Sequence, residues 1–212
     1  NYLWIQIFYS ALKKNGRAGF VMPNSANDVS GSEMEIRKKL IQSNIVDVII
    51  SIGTNFFYTV TLPCTLWFFD KNKKRKDKIL FIDARKIYNQ IDRAHNEFTS
   101  QQIEFIHDIV RLYKNQIIIT NKDNKKDLLE KFPDKKYKDV LGLCKQVDLR
   151  DIKLQNWSLS PGRYVGVDEI NYDNKNINSE LINLNQELNT LNNESARLEK
   201  EISINMKKLS KI

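Results

Sequence analysis

The chain has 212 residues, of which 41% are hydrophobic, and its formal net charge is +8. It is long enough for one large domain, or for a domain with an appendage, around a real core. Two widely separated cysteines, Cys64 and Cys144, exclude a disulfide scaffold and a zinc site, and no apolar run approaches the ~20 residues that span a membrane. The charge favours an anionic partner, nucleic acid first, although a lysine-rich composition alone gives the same value.

The first part of the chain alternates between helix and strand patterns. Residues 2–14 carry apolar side chains at helical spacing, and "AGFVMP" forms a short buried strand that closes at Pro23. A helix beginning at Ser32 and the β-branched strand "IVDVIIS" follow. This order predicts parallel strands in an α/β sheet that is covered on both faces. Because the chain opens inside the first helix without capping residues, we expect a fragment of a longer protein.

The pattern changes after the second strand. The third strand, residues 62–69, follows after only ~10 residues, too few for a crossover helix, so it must return antiparallel. A basic turn, "DKNKKRKDK", then leads to a fourth strand, "ILFIDA". We therefore predict a mixed α/β sheet with an antiparallel hairpin at its end, within a first domain of residues 1–118.

The last part of the chain is predicted to be an irregular connecting segment with short strands, 119–172, followed by a long helix, 173–212. That helix carries a heptad seam with two polar positions, Ser195 and Asn205. Its apolar members are Ile177, Leu181, Leu184, Leu188, Leu191, Leu198, Ile202 and Leu209. A narrow stripe sustained over this length favours a coiled-coil-like contact with a partner helix. The alternative is a terminal helix packed on its own domain.

Two phenylalanines, Phe56 and Phe57, lie in a loop rich in Gly, Asn and Thr between the second and third strands. Ligands of open α/β sheets bind beyond the carboxyl ends of the strands, so this loop lies at the predicted ligand edge. The rings form either a local hydrophobic plug or a stacking surface for a planar ligand such as a nucleobase. Stacking of that kind is worth ~1–3 kcal/mol per base, and one ring can plug while the other stacks.

Motifs that carry chemistry are absent from the sequence. It contains no GxG of any kind, no GxxxxGK[ST], no GxSxG and no HExxH. His95 and His107 are interpreted as solvated helix residues, and Arg37 as structural or solvated. We therefore predict no metal site and no complete active site in this chain.

An ordered series of segments resembles the second half of the catalytic domain of type I restriction–modification methyltransferase (M) subunits, which are adenine-N6 DNA methyltransferases. The series is a Gly-Arg-Ala strand with a Pro-Asn turn, a helix with an Ile-Arg pair, "VDVII", a Phe-Phe-Tyr-x-Thr loop and "FIDA". Downstream, "NWSLSPGRYVGV" resembles the family's Asn-x-Ser/Asn-Pro-x-Arg-Tyr-Val segment, which includes Arg163 and Tyr164. The resemblance covers nearly the whole chain in the right order.

The resemblance implies the second half of a Rossmann-like domain that takes its methyl group from S-adenosylmethionine and acts on a flipped adenine. Phe57, and after it Phe56, would stack on that base, and Met22, Pro23 and Asn24 would form the edge of the pocket. The family's glycine-rich cofactor loop and Asn-Pro-Pro-aromatic motif are expected upstream. This chain therefore holds no catalytic residue of its own and should be inactive alone.

The resemblance also implies partners. In type I systems two M subunits assemble on one specificity (S) subunit, so the terminal helix would pack against helices of the S subunit, and a restriction subunit is a further candidate partner. DNA would be bound in the cytoplasm of a bacterium or archaeon, with Lys73, Lys74 and Arg75 of the basic turn as candidate phosphate contacts. Alternatives are a non-catalytic assembly module with a coiled-coil tail, or part of a type IIG-like restriction–methylation enzyme.

Overall fold

In the computed structural model the chain divides into two compact units, Asn1–Asp168 and Glu169–Ile212. The structure describes residues 1–117, 125–167 and 174–209, without the side chains of 125–127, 174–180, 204 and 207–209. Among these residues, no helix has the length and hydropathy that crossing a membrane requires.

The first unit alternates helices and strands, and the helices and strands predicted for the first 114 residues all have a counterpart. Their bounds are α1 Tyr2–Ala11, β1 Arg17–Pro23, a 3-10 turn Asn24–Asn27, α2 Ser32–Gln42, β2 Val46–Ile52, β3 Cys64–Asp70, β4 Lys78–Asp83, β5 Asn89–Gln90, β6 Asn96–Glu97, α3 Ser100–Tyr113, α4 Lys125–Lys131, β7 Cys144–Asp148, α5 Leu149–Leu154 and α6 Gly162–Val165. The described part of the second unit is one helix, α7 Asn174–Leu209.

The main sheet has the strand order β1-β3-β2-β4-β7. Strand β3 is antiparallel to both of its neighbours, β2 and β4 are parallel, and β7 is antiparallel to β4. The predicted mixed sheet is confirmed, but the predicted hairpin at its end is wrong, because β3 lies between β1 and β2 and does not pair with β4. An interior place suits these strands, since every residue of β2 is buried and β3 has apolar side chains on both faces.

Helices cover both faces of this sheet. On one face α1, α2, α5 and α6 contribute to a core cluster that includes Ile49, Trp67 and Phe81. On the other face α3 and α4 pack over Ile50 and Leu80. The first unit is therefore a layered α/β structure, in which loops beyond the strand ends are free to form a site.

The segment 119–172 differs from the irregular connection that the sequence predicts. Strand β7 completes the main sheet, and the helices α4, α5 and α6 are part of the first unit. Leu159, Tyr164 and Val165 are buried in the core, and the Tyr164 ring stacks on Phe81 with centroids 4.4 Å apart. These apolar positions are too widely spaced to show a period, so only their contacts with distant strands reveal them. Residues 118–124 and 168–173 lie outside the described residues.

Helix α7 is the long helix predicted at the end of the chain. Its 36 residues span about 54 Å at 1.5 Å per residue. The described side chains of the seam are exposed, from 44% for Leu198 to 63% for Ile202. The side chains of Ile177 and Leu209 lie outside the described residues.

Candidate functional site

Two loops meet at one edge of the sheet because β1, β2 and β4 run in the same direction. Pro23 at the end of β1 and Ile52 at the end of β2 both pair with Cys64, the first residue of β3. Neighbouring strands are about 4.8 Å apart, so the ends of β1 and β2 are separated by roughly 10 Å. The turn after β1 and the aromatic loop after β2 (residues 53–62) therefore share what we call the carboxyl edge.

The turn after β1 is held by a chain of polar side chains. Thr65 Oγ1 donates a hydrogen bond of 2.6 Å to Asn24 Oδ1 and accepts one of 2.8 Å from Asn27 Nδ2. Asn27 Oδ1 in turn accepts from Trp67 Nε1 at 3.0 Å. Asn27 and Thr65 are fully buried, so each of these bonds satisfies a group that water cannot reach. The sequence did not reveal Asn27 or Thr65, since only the pairing of β1 with β3 brings them together.

The three predicted pocket-edge residues have different environments. Met22 is buried and belongs to the core cluster under α1 and α2, so it does not line the edge. Pro23 is exposed, and Asn24 is half-buried with its Oδ1 already engaged by Thr65. Pro23 and the amide nitrogen of Asn24 remain as candidate groups for a ligand at this edge.

Arg37 supports the same turn from beneath. Its guanidinium is 1% exposed and donates from Nη1 to the Val29 carbonyl at 2.8 Å and from Nε to the Trp157 carbonyl at 2.7 Å. Nη1 also donates to the Tyr2 hydroxyl, which itself donates to the Ala26 carbonyl at 2.6 Å. Arg37 is therefore structural, as one of its two interpretations held, and it ties the turn to α1 and α2.

The aromatic loop is anchored at its beginning by close backbone contacts. A Cβ atom at Gly53 would lie 2.9 Å from the Arg85 carbonyl oxygen, so only glycine fits there. Asn55 adopts a left-handed φ of 64°, and its carbonyl accepts a bond of 2.7 Å from the Asn96 amide. The Asn96 side chain donates to the Thr54 carbonyl at 3.0 Å. The loop is thereby docked on the small β5–β6 hairpin.

Three consecutive aromatic residues of this loop play separate roles. Phe56 is half-buried and packs against Phe98 with ring centroids 4.6 Å apart. Phe57 is 41% exposed, and Tyr58 is 87% exposed. The ring of Phe56 is thus the plug, whereas Phe57 and Tyr58 present aromatic surface to solvent. The two phenylalanines therefore differ in burial. The sequence analysis ranked Phe57 before Phe56 as the stacking residue, but it gave no physical difference between them.

His95 differs from the solvated helix residue that the sequence predicts. It lies between β5 and β6, where its Nδ1 is 2.7 Å from Asp92 Oδ2 and its ring is 4.8 Å from the ring of Tyr58. These contacts place a polar ring beside the exposed Tyr58. His107 is an exposed residue of α3, as predicted.

The basic turn between β3 and β4 lies at the opposite edge of the sheet. Lys73, a predicted phosphate contact, is only 8% exposed and donates to the Val46 carbonyl at 2.7 Å. Burial lowers the pKa of its ammonium group from 10.5 to about 8, against the opposing effect of Asp47 and of two further aspartates. An ammonium group held in this way stabilises the turn rather than meeting a partner from solvent.

The two other predicted phosphate contacts differ from each other. Arg75 donates to Gln146 Oε1 at 2.6 Å and to Asn115 Oδ1 at 3.1 Å, and its guanidinium lies 4.8 Å from the Tyr113 ring centroid. Lys74 is exposed. Of the three basic side chains, Lys74 is the one that faces solvent without serving the fold.

A further groove lies beside α3, and Phe98, which packs on the Phe56 ring, is part of its wall. It measures about 640 Å³ on the sheet face between β1, β3 and α3, and its walls include Leu66, Phe68 and Ile106. Its charged rim, at the amino ends of the parallel strands, pairs internally, since Lys114 contacts both Asp47 and Asp70. The groove offers apolar surface but no unpaired acid or base on that rim, so its size does not make it the chemical site.

The groups at the carboxyl edge do not fit a bound nucleoside cofactor by themselves. The turn after β1 has no glycine that would let a backbone approach a ligand closely, and the oxygens of Asn24 and Asn27 are occupied by Thr65 and Trp67. In the part of the chain that the structure describes, no group of three or more His, Cys, Asp or Glu side chains could hold a metal ion. What this edge does present is exposed aromatic surface.

Comparisons with known proteins agree on one family. The model for N-6 DNA methylases matches residues 1–173. The type I restriction enzyme MjaIX methylase subunit of Methanocaldococcus jannaschii is 37% identical over 169 residues, which is 79% of this chain and 27% of that protein. The HindI methylase subunit of Haemophilus influenzae is 31% identical over 207 residues, 97% of this chain and 43% of that protein. The chain thus spans less than half the length of these curated relatives.

Solved structures share the fold. The type I restriction–modification methyltransferase subunit of Streptococcus thermophilus superposes with a TM-score of 0.60 at 21% identity, over 79% of this chain and 30% of its own. A structure from work on complex assembly and conformational transition of the type I system has a TM-score of 0.54 at 17% identity, over 94% of this chain and 39% of its own. At these identities the likeness concerns the fold alone.

Proposed function

Because the chain belongs to the N-6 DNA methylase family, we propose that it forms part of the modification subunit of a type I restriction–modification system. The reaction of that protein is transfer of a methyl group from S-adenosylmethionine to N6 of an adenine flipped out of DNA. The names of the relatives, methylase subunits of type I restriction enzymes at 37% and 31% identity, support this proposal.

The role of this chain in the reaction is to receive the flipped base. The observation that carries this role is the exposed Phe57 at the carboxyl edge, in a loop held in place by Gly53, Asn55 and the plug ring of Phe56. A solvent-facing ring on an anchored loop offers a stacking surface at little cost in conformational entropy. Pro23 and Asn24, on the neighbouring strand end, form the other side of the proposed pocket.

Cofactor binding is assigned to other parts of the full-length protein. S-adenosylmethionine supplies the methyl group in this family, but the groups at the carboxyl edge of this chain do not fit it. The groups of this chain orient the base and exclude water from one of its faces. We keep Lys74 as the candidate phosphate contact, because it is the basic-turn side chain that is both predicted and exposed.

The test uses the full-length protein with its specificity subunit and cognate DNA. Phe57→Ala should lower methyl transfer from labelled S-adenosylmethionine by about tenfold to a hundredfold, since a base stack is worth ~1–3 kcal/mol. It should also reduce the fluorescence increase of 2-aminopurine placed at the target position, which reports a base outside the duplex. Leu62→Ala, an exposed apolar residue of the same loop, is the matched control and should change neither signal.

Unchanged turnover and unchanged 2-aminopurine fluorescence in Phe57→Ala would remove the stacking role. A loss in Phe57→Ala that Tyr58→Ala reproduces in full would assign the contact to the loop surface as a whole. Phe56→Ala is informative for the opposite reason, because loss of its contact with Phe98 should lower thermal stability first.

A second function, subunit assembly, is supported by a separate observation. The described seam side chains of α7 are exposed over most of a helix about 54 Å long. We propose that this seam binds helices of a specificity subunit, with a second modification subunit and a restriction subunit in the same complex. Leu188→Asp with Leu191→Asp should abolish co-purification with the specificity subunit and leave the circular dichroism of the body intact. Survival of the complex would exclude the seam as the interface.

A further inference from the structure

Helix α7 carries a second regularity beside its leucine seam. A glutamate stands immediately before four alternate seam positions, at Glu180, Glu187, Glu194 and Glu201, with a spacing of seven residues. In heptad terms the glutamates occupy the g positions next to the seam. The opposite flank, the e positions, carries Asn178, Asn185, Asn192, Glu199 and Met206. The seam therefore has one border that is acidic over four consecutive heptads, which we call the acidic flank and which Lys208 follows, and one largely uncharged border.

The structure leaves both the seam and its acidic flank open to solvent. Leu184, Leu188 and Leu191 are each more than half exposed, and Glu187 and Glu194 are exposed beside them. Among the side chains that the structure describes, those of Glu187, Glu194 and Glu201 form no ion pair. These three glutamates are thus not neutralised by the described side chains of their own helix.

A second copy of this helix is a poor occupant of the seam. In an antiparallel pair the g positions of the two helices face each other, which places Glu187, Glu194 and their neighbours opposite glutamates. In a parallel pair each g position faces an e position of the partner, so Glu194 would meet Glu199 and the remaining glutamates would meet asparagine or Met206. Lys208, the g position that follows Glu201, can face Glu180 in an antiparallel pair, but the central positions Glu187, Glu194 and Glu201 would still face glutamates there. The parallel pair provides no attractive contact between charged side chains.

We propose that the occupant of the seam is a helix of a different protein, with Lys or Arg side chains along the border that faces the acidic flank. This inference rests on the proposed function, in which α7 is an assembly helix, and it names the chemistry of the partner. The leucines provide most of the buried contact area. The glutamates provide specificity, because they attract a basic partner helix and repel a second copy of α7.

Two designed peptides test the inference with the 212-residue chain. Both have five heptads and the same leucine seam, one with lysine and the other with glutamate at all e and g positions. In about 50 mM salt the lysine peptide should bind at least about tenfold more tightly, a difference of about 1.4 kcal/mol. The overall charge of +8 would favour the glutamate peptide, so a preference for lysine reports the local flank. At about 1 M salt the preference should largely disappear.

Two sets of substitutions with equal change in charge separate the flank from the helix as a whole. Glu187→Gln, Glu194→Gln and Glu201→Gln together should reduce the preference for the lysine peptide to less than about threefold. Gln186→Lys, Asn189→Lys and Asn193→Lys, on the outer face, should leave it near tenfold.

Equal affinity for the two peptides overturns the inference. A wild-type chain that is a dimer by light scattering, and that becomes monomeric with Leu188→Asp and Leu191→Asp, also overturns it. If the peptides bind equally while that double substitution still disrupts the complex with the specificity subunit, the charge inference fails and the assembly role stands. If neither peptide binds and the double variant assembles normally, both fail.

Discussion

The two edges of the main sheet differ in which side chains they expose and which they bury. At the carboxyl edge, the aromatic residues Phe57 and Tyr58 face solvent while the polar side chains of Asn27 and Thr65 are buried. At the amino edge, about 20 Å away along the strands, Lys73 is buried and bound to a backbone carbonyl. Aromatic side chains are thus exposed at the carboxyl edge, whereas the ammonium group of a lysine is buried at the amino edge.

This difference shows that residue type alone does not locate the functional surface. A lysine-rich turn suggests a phosphate contact, but two of its three candidates, Lys73 and Arg75, are engaged by the protein itself. At the carboxyl edge the rings of Phe57 and Tyr58 stay exposed, although the ring of Tyr58 also contacts that of His95. The carboxyl edge is therefore the stronger candidate for the functional surface. Substitutions at both edges test this contrast between exposed aromatic residues and internally bound basic residues.

The largest effect on the free energy of unfolding is expected for Arg37, which lies beneath the carboxyl edge. Arg37→Leu should lower the free energy of unfolding by about 3 kcal/mol, because it removes the buried guanidinium that donates to the partly buried carbonyls of Val29 and Trp157. Arg150→Leu, at an exposed position of α5, should change it by less than about 0.5 kcal/mol. Urea unfolding of both variants measures the difference, and equal midpoints would show that Arg37 does not carry the turn.

An intermediate effect on the free energy of unfolding, one that depends on pH, is expected for Lys73 at the amino edge. The pKa of Lys73 is about 8 in the folded chain against 10.5 for an ordinary lysine, so the unfolded chain binds more protons between these values. Raising the pH from 7 to 10 should therefore stabilise the wild type relative to Lys73→Met by about 1–2 kcal/mol. Thermal unfolding at several pH values measures this change.

The control for that experiment is Lys74→Met, whose exposed side chain should leave the pH dependence of unfolding unaltered. A stability difference between the wild type and Lys73→Met that stays constant from pH 7 to 10 would contradict the buried ammonium group. The amino edge would then resemble an ordinary solvated turn.

The smallest effect is expected for Lys74→Ala in DNA binding by the full-length complex. One lost phosphate contact lowers affinity modestly, by at most about threefold, and reduces the slope of log K against log salt by about 0.9. Lys145→Ala, an exposed lysine of β7, is the comparison. A loss as large as that of Phe57→Ala would make the amino edge part of the DNA surface and end the contrast between the two edges.

The order of the longer helices and strands was predictable for the first 114 residues, because each has its own hydrophobic period and turn or capping residues at its ends. The two-residue strands β5 and β6 were not predicted. The position of β3 was not. The short connection from β2 requires only that the chain reverse, and does not say on which side of β2 it returns. The role of residues 144–165 was also hidden, since Leu159 and Tyr164 are buried by contacts with strands far away in the chain.

The topology rule predicted that the turn after β1 and the aromatic loop lie at one edge of the sheet, and the strand directions in the structure agree. That a ligand binds at this edge stays a prediction. Met22 was misplaced because a strand residue next to the edge can point into the core, and its burial depends on α1 and α2. The stacking role of Phe57 stays a prediction, and Phe56 is the plug.

The sequence by itself determined the principal helices and strands of the first 114 residues, the family and the long terminal helix, because these depend on local periodicity and on an ordered series of motifs. Only the tertiary structure decided which side chains remain available to a partner. Phe56 and Phe57, or Lys73 and Lys74, are neighbours with the same chemistry, and no local pattern separates them. Their exposure is set by distant residues, Phe98 for one pair and the Val46 carbonyl for the other, and burial is a property of the folded packing.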